Sequence, residues 1–171
     1  MDGKPINIDG IVIPSDAPFF LALIAIHVLA ALICVVAGIV AMLSKKQRGN
    51  HPTAGTIYFF GLIVVFVTVT IISILRWKED YYLFILGCLS LAAAFVGRMA
   101  RRKIWNNWAV YHITCMGLSY TILITAFYVD NGKFLPVWKD LPPIVYWTLP
   151  GIIGIPIIIY TLLTHPVMKK N

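Results

Sequence analysis

The chain has 171 residues, 60% of them apolar and 12% charged, with a formal net charge of +7 and a mean hydropathy of +0.85. A water-soluble domain carries about 45–50% apolar and about 25% charged residues, so the composition excludes a soluble globular domain, and its hydrophobicity excludes intrinsic disorder. The solvent is lipid, and the surplus of cations is read against a membrane surface with no nucleic-acid partner.

In chain order, residues 1–18 form an extracytoplasmic N-terminal arm. Ile11, Val12 and Ile13 are its one apolar run and Pro5, Pro14 and Pro18 act as breakers, which predicts an extended segment. No cleavable signal is expected, because the first apolar run is too long for an h-region and follows acids instead of a basic stretch. Crossing a hydrocarbon core of about 30 Å takes about 20 helical residues. Five segments meet that length: 19–44, 54–75, 81–97, 108–129 and 144–164, the third being the shortest. Barrel strands alternate apolar and polar residues, whereas a stretch such as 61–67 is apolar on every side. The expected fold is therefore all-α, an integral membrane bundle of five transmembrane helices over residues 19–165, followed by a cytoplasmic tail at 166–171.

Charge between the spans sets the orientation, since Lys and Arg are retained on the cytoplasmic side. One side receives Lys45, Lys46, Arg48, Arg98, Arg101, Arg102, Lys103, Lys169 and Lys170 with no acid among them. The other receives Lys4, Arg76, Lys78, Lys133 and Lys139 together with every acid: Asp2, Asp9, Asp16, Glu79, Asp80, Asp130 and Asp140. That places the N-terminus outside and the C-terminus in the cytoplasm of a bacterial inner membrane, with the lipid bilayer as the first partner.

Membrane helices associate through small residues that permit close backbone approach. Ala30, Ala31, Cys34, Ala37, Gly38 and Ala41 make such a stripe on the first span, as do Ser90, Ala93, Ala94 and Gly97 on the third. Cys34, Cys88 and Cys115 have no paired spacing and read as small hydrophobes. Pro150, Gly151, Gly154 and Pro156 predict a kinked or broken fifth helix, the feature on which a small-solute permease would be built.

Ionisable groups within a bilayer are costly and commonly functional, so their census is informative. No Asp, Glu, Lys or Arg falls mid-span, which argues against a carboxylate proton relay. Histidines are left: His27 in the first span, His51 at the foot of the second, His112 in the fourth and His165 at the end of the fifth. Trp108, His112, Cys115 and Ser119 share one helical face, as do His27, Ala31, Cys34 and Gly38. Neutral imidazoles there can ligate haem b or a metal ion, and they can equally hydrogen-bond a neighbouring helix. Counting helical rise puts His27 and His112 about 12 Å apart in depth, and His51 and His112 about 7–10 Å apart. His51 and His165 are the most nearly level pair. Pro52 is suited to start a helix and pushes His51 toward an extended conformation.

The run His27, Gly38, Lys46, Gly49, His51, Gly55 and Tyr58 resembles a family of small bacterial membrane proteins carrying a domain of unknown function. The stretch from Tyr111 and His112 through Tyr120, Asp130, Gly132, Pro136, Pro142, Trp147, Pro150 and Gly154 is similar to its Bacteroidetes-type members. Where many relatives have a His-Arg-x-Trp-Met-type stretch before the fourth span, this chain has Trp105, Asn106, Asn107 and Trp108, and its histidine follows at His112. The resemblance implies a helical inner-membrane bundle and no particular activity.

The leading expectation is an inner-leaflet site in which His51 and His112 ligate haem b or a metal ion. His165 or His27 would assist, and Arg98 or Arg101 would pair with propionates. The second reading, from another class, is a non-enzymatic scaffold, assembly factor or accessory subunit of other membrane proteins, whose histidines tie helices together. The permease is the third.

Overall fold

Five helices, each long and apolar enough to cross a membrane, carry the chain. The computed structural model describes residues 6–8, 11–13, 17–45, 49–136 and 138–165. The N-terminal arm contains two short strands, β1 (Ile6–Ile8) and β2 (Ile11–Ile13), paired antiparallel with Ile6 opposite Ile13. Each strand is an extended segment, and the two lie side by side. The helices are α1 (Pro18–Leu43), α2 (Asn50–Leu75), α3 (Trp77–Lys103), α4 (Trp108–Asn131) and α5 (Pro143–Thr164), with a 3₁₀ turn at Gly132–Phe134.

At about 1.5 Å per residue, helices of 22–27 residues measure about 33–40 Å, sufficient for a hydrocarbon core of about 30 Å. Their outward faces are apolar. On α1 the exposed residues Ile26, Leu29, Ile33, Val36 and Val40 follow at helical spacing, an apolar stripe that water would not tolerate and that lipid solvates.

The third span departs most from expectation, because α3 is the longest of the five helices and not the shortest. At its start Glu79 and Asp80 lie in the first turn, where the positive end of the helix dipole favours acids, and Arg101, Arg102 and Lys103 lie in the last turn, where cations are favoured. Charges that end an apolar segment therefore do not end this helix. Arg76 alone separates α2 from α3, and the corner is fixed by side chains: Ser73 Oγ donates to Asp80 O at 3.1 Å, and Arg76 Nη1 stands 3.2 Å from Asp80 Oδ2.

The chain divides into two compact units, residues 1–81 and 82–171. In the first, α1 and α2 pack as an antiparallel hairpin on the small-residue stripe. Ala30, Cys34, Ala37 and Gly38 are buried, and a Cβ added at Gly61 would stand 2.8 Å from Cys34 Sγ. In the second, α3 packs antiparallel to α4, with Ser90 level with Ser119 and Gly97 level with His112. A Cβ at Gly117 would lie 2.5 Å from Ile158 Cγ1, and Gly154 abuts Thr121, which sets the α4–α5 register. α5 runs unbroken through Pro150 and Pro156, so the broken helix expected there is not present.

Candidate functional site

Three histidines hold the same kind of bond: ring Nδ1 lies against an oxygen of a different helix. In the first unit, His27 Nδ1 on α1 is 2.8 Å from Thr68 Oγ1 on α2. Thr68 Oγ1 itself donates to Val64 O at 2.8 Å and Val65 O at 3.0 Å. Its one hydrogen is thereby used, and His27 must be the donor. Nearer the other end of this hairpin, His51 Nδ1 donates to Ala41 O at 2.7 Å. Ala41 lies in the last turn of α1, where carbonyls have no helical partner, so His51 caps α1 from α2. α2 begins at Asn50, which makes His51 helical and not extended, and Pro52 falls in the first turn, where a missing N–H breaks no helical bond.

In the second unit, His112 Nδ1 on α4 donates to Gly97 O on α3 at 2.9 Å. This bond depends on how closely the two backbones approach. A Cβ at Gly97 would lie 3.0 Å from Met116 Cγ and 3.2 Å from both Cys115 Cβ and Met116 N. The face predicted for α4 is the face turned to α3: Trp108 lies under the Arg101 guanidinium at 4.4 Å, and Ser119 accepts from Ser90 at 2.9 Å. Arg98 lies one turn before Arg101 on α3 and is partly buried.

A neutral imidazole whose Nδ1–H is donated has Nε2 as its acceptor nitrogen, so all three rings share one tautomer. Within the first unit the bonds do not bring His27 and His51 together. Ala41 lies 14 residues beyond His27 on α1, which puts His27 and His51 about 21 Å apart along the helix axis, too far for one iron to join them. His112 belongs to the second unit, as do His165, Arg98 and Arg101. His165 follows the last residue of α5, and the α4–α5 register sets it about level with Val110, within about one turn of His112. Among the described residues, no group of three or more His, Cys, Asp or Glu could hold a metal ion. Lys46, Arg48, Lys169 and Lys170 lie outside the described residues.

The sequence does not identify Thr68 as the partner of His27, or Gly97 as that of His112. Of the several hydroxyls in the second span, Thr68 is level with His27 in an antiparallel hairpin, which is the available signal for the first. Gly97 had been placed among the packing residues, and the backbone oxygen it offers carries no sequence signature. Comparison with curated proteins and with solved structures gives no match. The family described as Predicted membrane protein (DUF2306) matches residues 24–143, more than two thirds of the 171 residues, and the match takes in α2, α3, α4 and most of α1. The chain belongs to this family of membrane proteins, whose function is unknown.

Proposed function

We propose that the protein is a non-catalytic membrane subunit, a scaffold or accessory component of a bacterial inner-membrane assembly, in which the histidines hold helices together. One observation carries this reading: each of His27, His51 and His112 donates Nδ1–H to an oxygen of the neighbouring helix, so each has a structural use at the place where it stands. An interhelical bond of this kind in a membrane contributes about 0.6 kcal/mol and up to about 1.7 kcal/mol. The charge asymmetry supports an N-terminus outside and a C-terminus in the cytoplasm, with nine cations on the inner side.

A second reading, a b-type haem or a metal ion at His112, is favoured by a specific feature of the same bond. A histidine that ligates through Nε2 characteristically donates Nδ1–H to a carbonyl, as His112 does to Gly97 O. His165, about level with it, would be a further ligand, and Arg98 and Arg101 would face the propionates. The reduced-minus-oxidised visible spectrum of the detergent-purified protein, with metal analysis, decides between the two. The subunit reading expects no Soret band and no stoichiometric metal. A Soret band that disappears in His112→Ala would replace it with the haem reading.

A further inference from the structure

We propose that the α3–α4 turn is a binding site for the headgroup of an anionic phospholipid. Three observations converge there. The first is charge: Arg98, Arg101, Arg102 and Lys103 close α3, and no acid occurs in the sequence between Asp80 and Asp130. The α2–α3 corner is different, because Arg76 there pairs with Asp80 and Glu79 is adjacent. The second is placement: Arg101, Arg102 and Lys103 are exposed, and Trp105 and Trp108 stand beside them, the aromatic type that settles at the level of lipid headgroups.

The third is backbone conformation. Trp105 N donates to Ala100 O at 3.2 Å, and Ile104 has φ +49°, which together make a Schellman end to α3 with isoleucine in the position glycine normally takes. A β-branched residue is strained with positive φ, and Ile104 is 69% exposed, so packing within the chain does not explain the choice. The conformation holds an apolar side chain at the membrane face next to three exposed cations. Lipid tails solvate the isoleucine while a phosphate diester accepts from the guanidinium and ammonium groups. The Arg101 guanidinium is held over the Trp108 ring and so faces the headgroup region already ordered.

Dioleoyl phosphatidylglycerol or phosphatidylcholine is titrated into the purified full chain in detergent, and thermal unfolding is followed. Phosphatidylglycerol should raise the melting temperature at lower concentrations than phosphatidylcholine. Each cation near an anionic surface is worth about fivefold in affinity, so R102Q/K103Q should raise the half-saturating phosphatidylglycerol concentration about 25-fold. R102K/K103R, which keeps both charges, should retain the response, as should K133Q/K139Q on the α4–α5 connection. Equal protection by both lipids, an unchanged response in R102Q/K103Q, or a lost response in R102K/K103R would overturn the assignment. Equal protection by inorganic phosphate would also overturn it, in favour of a free-anion site.

Discussion

Gly97→Ala tests whether α3 and α4 meet as closely as the His112 bond requires. The added methyl would stand 3.0 Å from Met116 Cγ, a flexible atom that can turn aside, and 3.2 Å from Cys115 Cβ and Met116 N, which cannot. Ordinary contact begins near 3.4 Å, so α4 must retreat by a few tenths of an ångström, lengthening the 2.9 Å bond from His112 Nδ1 to Gly97 O. Overpacking of this kind costs about 1–3 kcal/mol, offset by about 0.5–1 kcal/mol because alanine is a better helix former than glycine. The expected net loss is about 0–2.5 kcal/mol. Gly151 is the control: nothing lies within 4 Å of a Cβ built there, so Gly151→Ala should be neutral or gain up to about 1 kcal/mol. Reversible unfolding in mixed micelles of increasing SDS fraction, followed by far-UV circular dichroism, measures both. A Gly97→Ala protein as stable as Gly151→Ala would refute the close approach.

Three further substitutions test the second unit by the same unfolding assay. Ser90 and Ser119 are both buried, and Ser90 Oγ donates to Ser119 O at 2.9 Å. Ser90→Ala should therefore lose about 0.6–1.7 kcal/mol, while Ser119→Ala, which keeps the accepting carbonyl, should lose less. Equal losses would assign the bond to the 3.3 Å contact between the two hydroxyls instead. Ile104→Gly relieves a left-handed residue at the end of α3 and should gain about 1 kcal/mol. A loss would show that the isoleucine side chain is held by packing.

Much of the fold was legible because lipid imposes a simple rule: apolar segments of sufficient length must be helices. The rule locates five spans but not where helices end, because a helix continues past the hydrocarbon wherever charges suit its dipole. Glu79 and Asp80 lie inside α3 at one end, and Arg101, Arg102 and Lys103 at the other, though each reads as a boundary by hydropathy. The face of α4 carrying Trp108, His112, Cys115 and Ser119 was legible from the steps of four, three and four. Helical geometry alone puts such residues on one side, and that side is turned to α3. The use of each histidine was not legible. Two of the three acceptors are backbone oxygens, Ala41 O and Gly97 O, which every residue possesses and which only tertiary register selects.

The bond between His27 and Thr68 joins two side chains, so it can be measured without disturbing the backbone. A double-mutant cycle of His27→Ala and Thr68→Val, read by SDS unfolding, isolates its energy. If the histidines hold helices together, the two substitutions should be coupled by about 0.6–1.7 kcal/mol, with the double variant less destabilised than the sum of the singles. Strict additivity would contradict the account, because a histidine placed there to tie α1 to α2 cannot be indifferent to the loss of its acceptor.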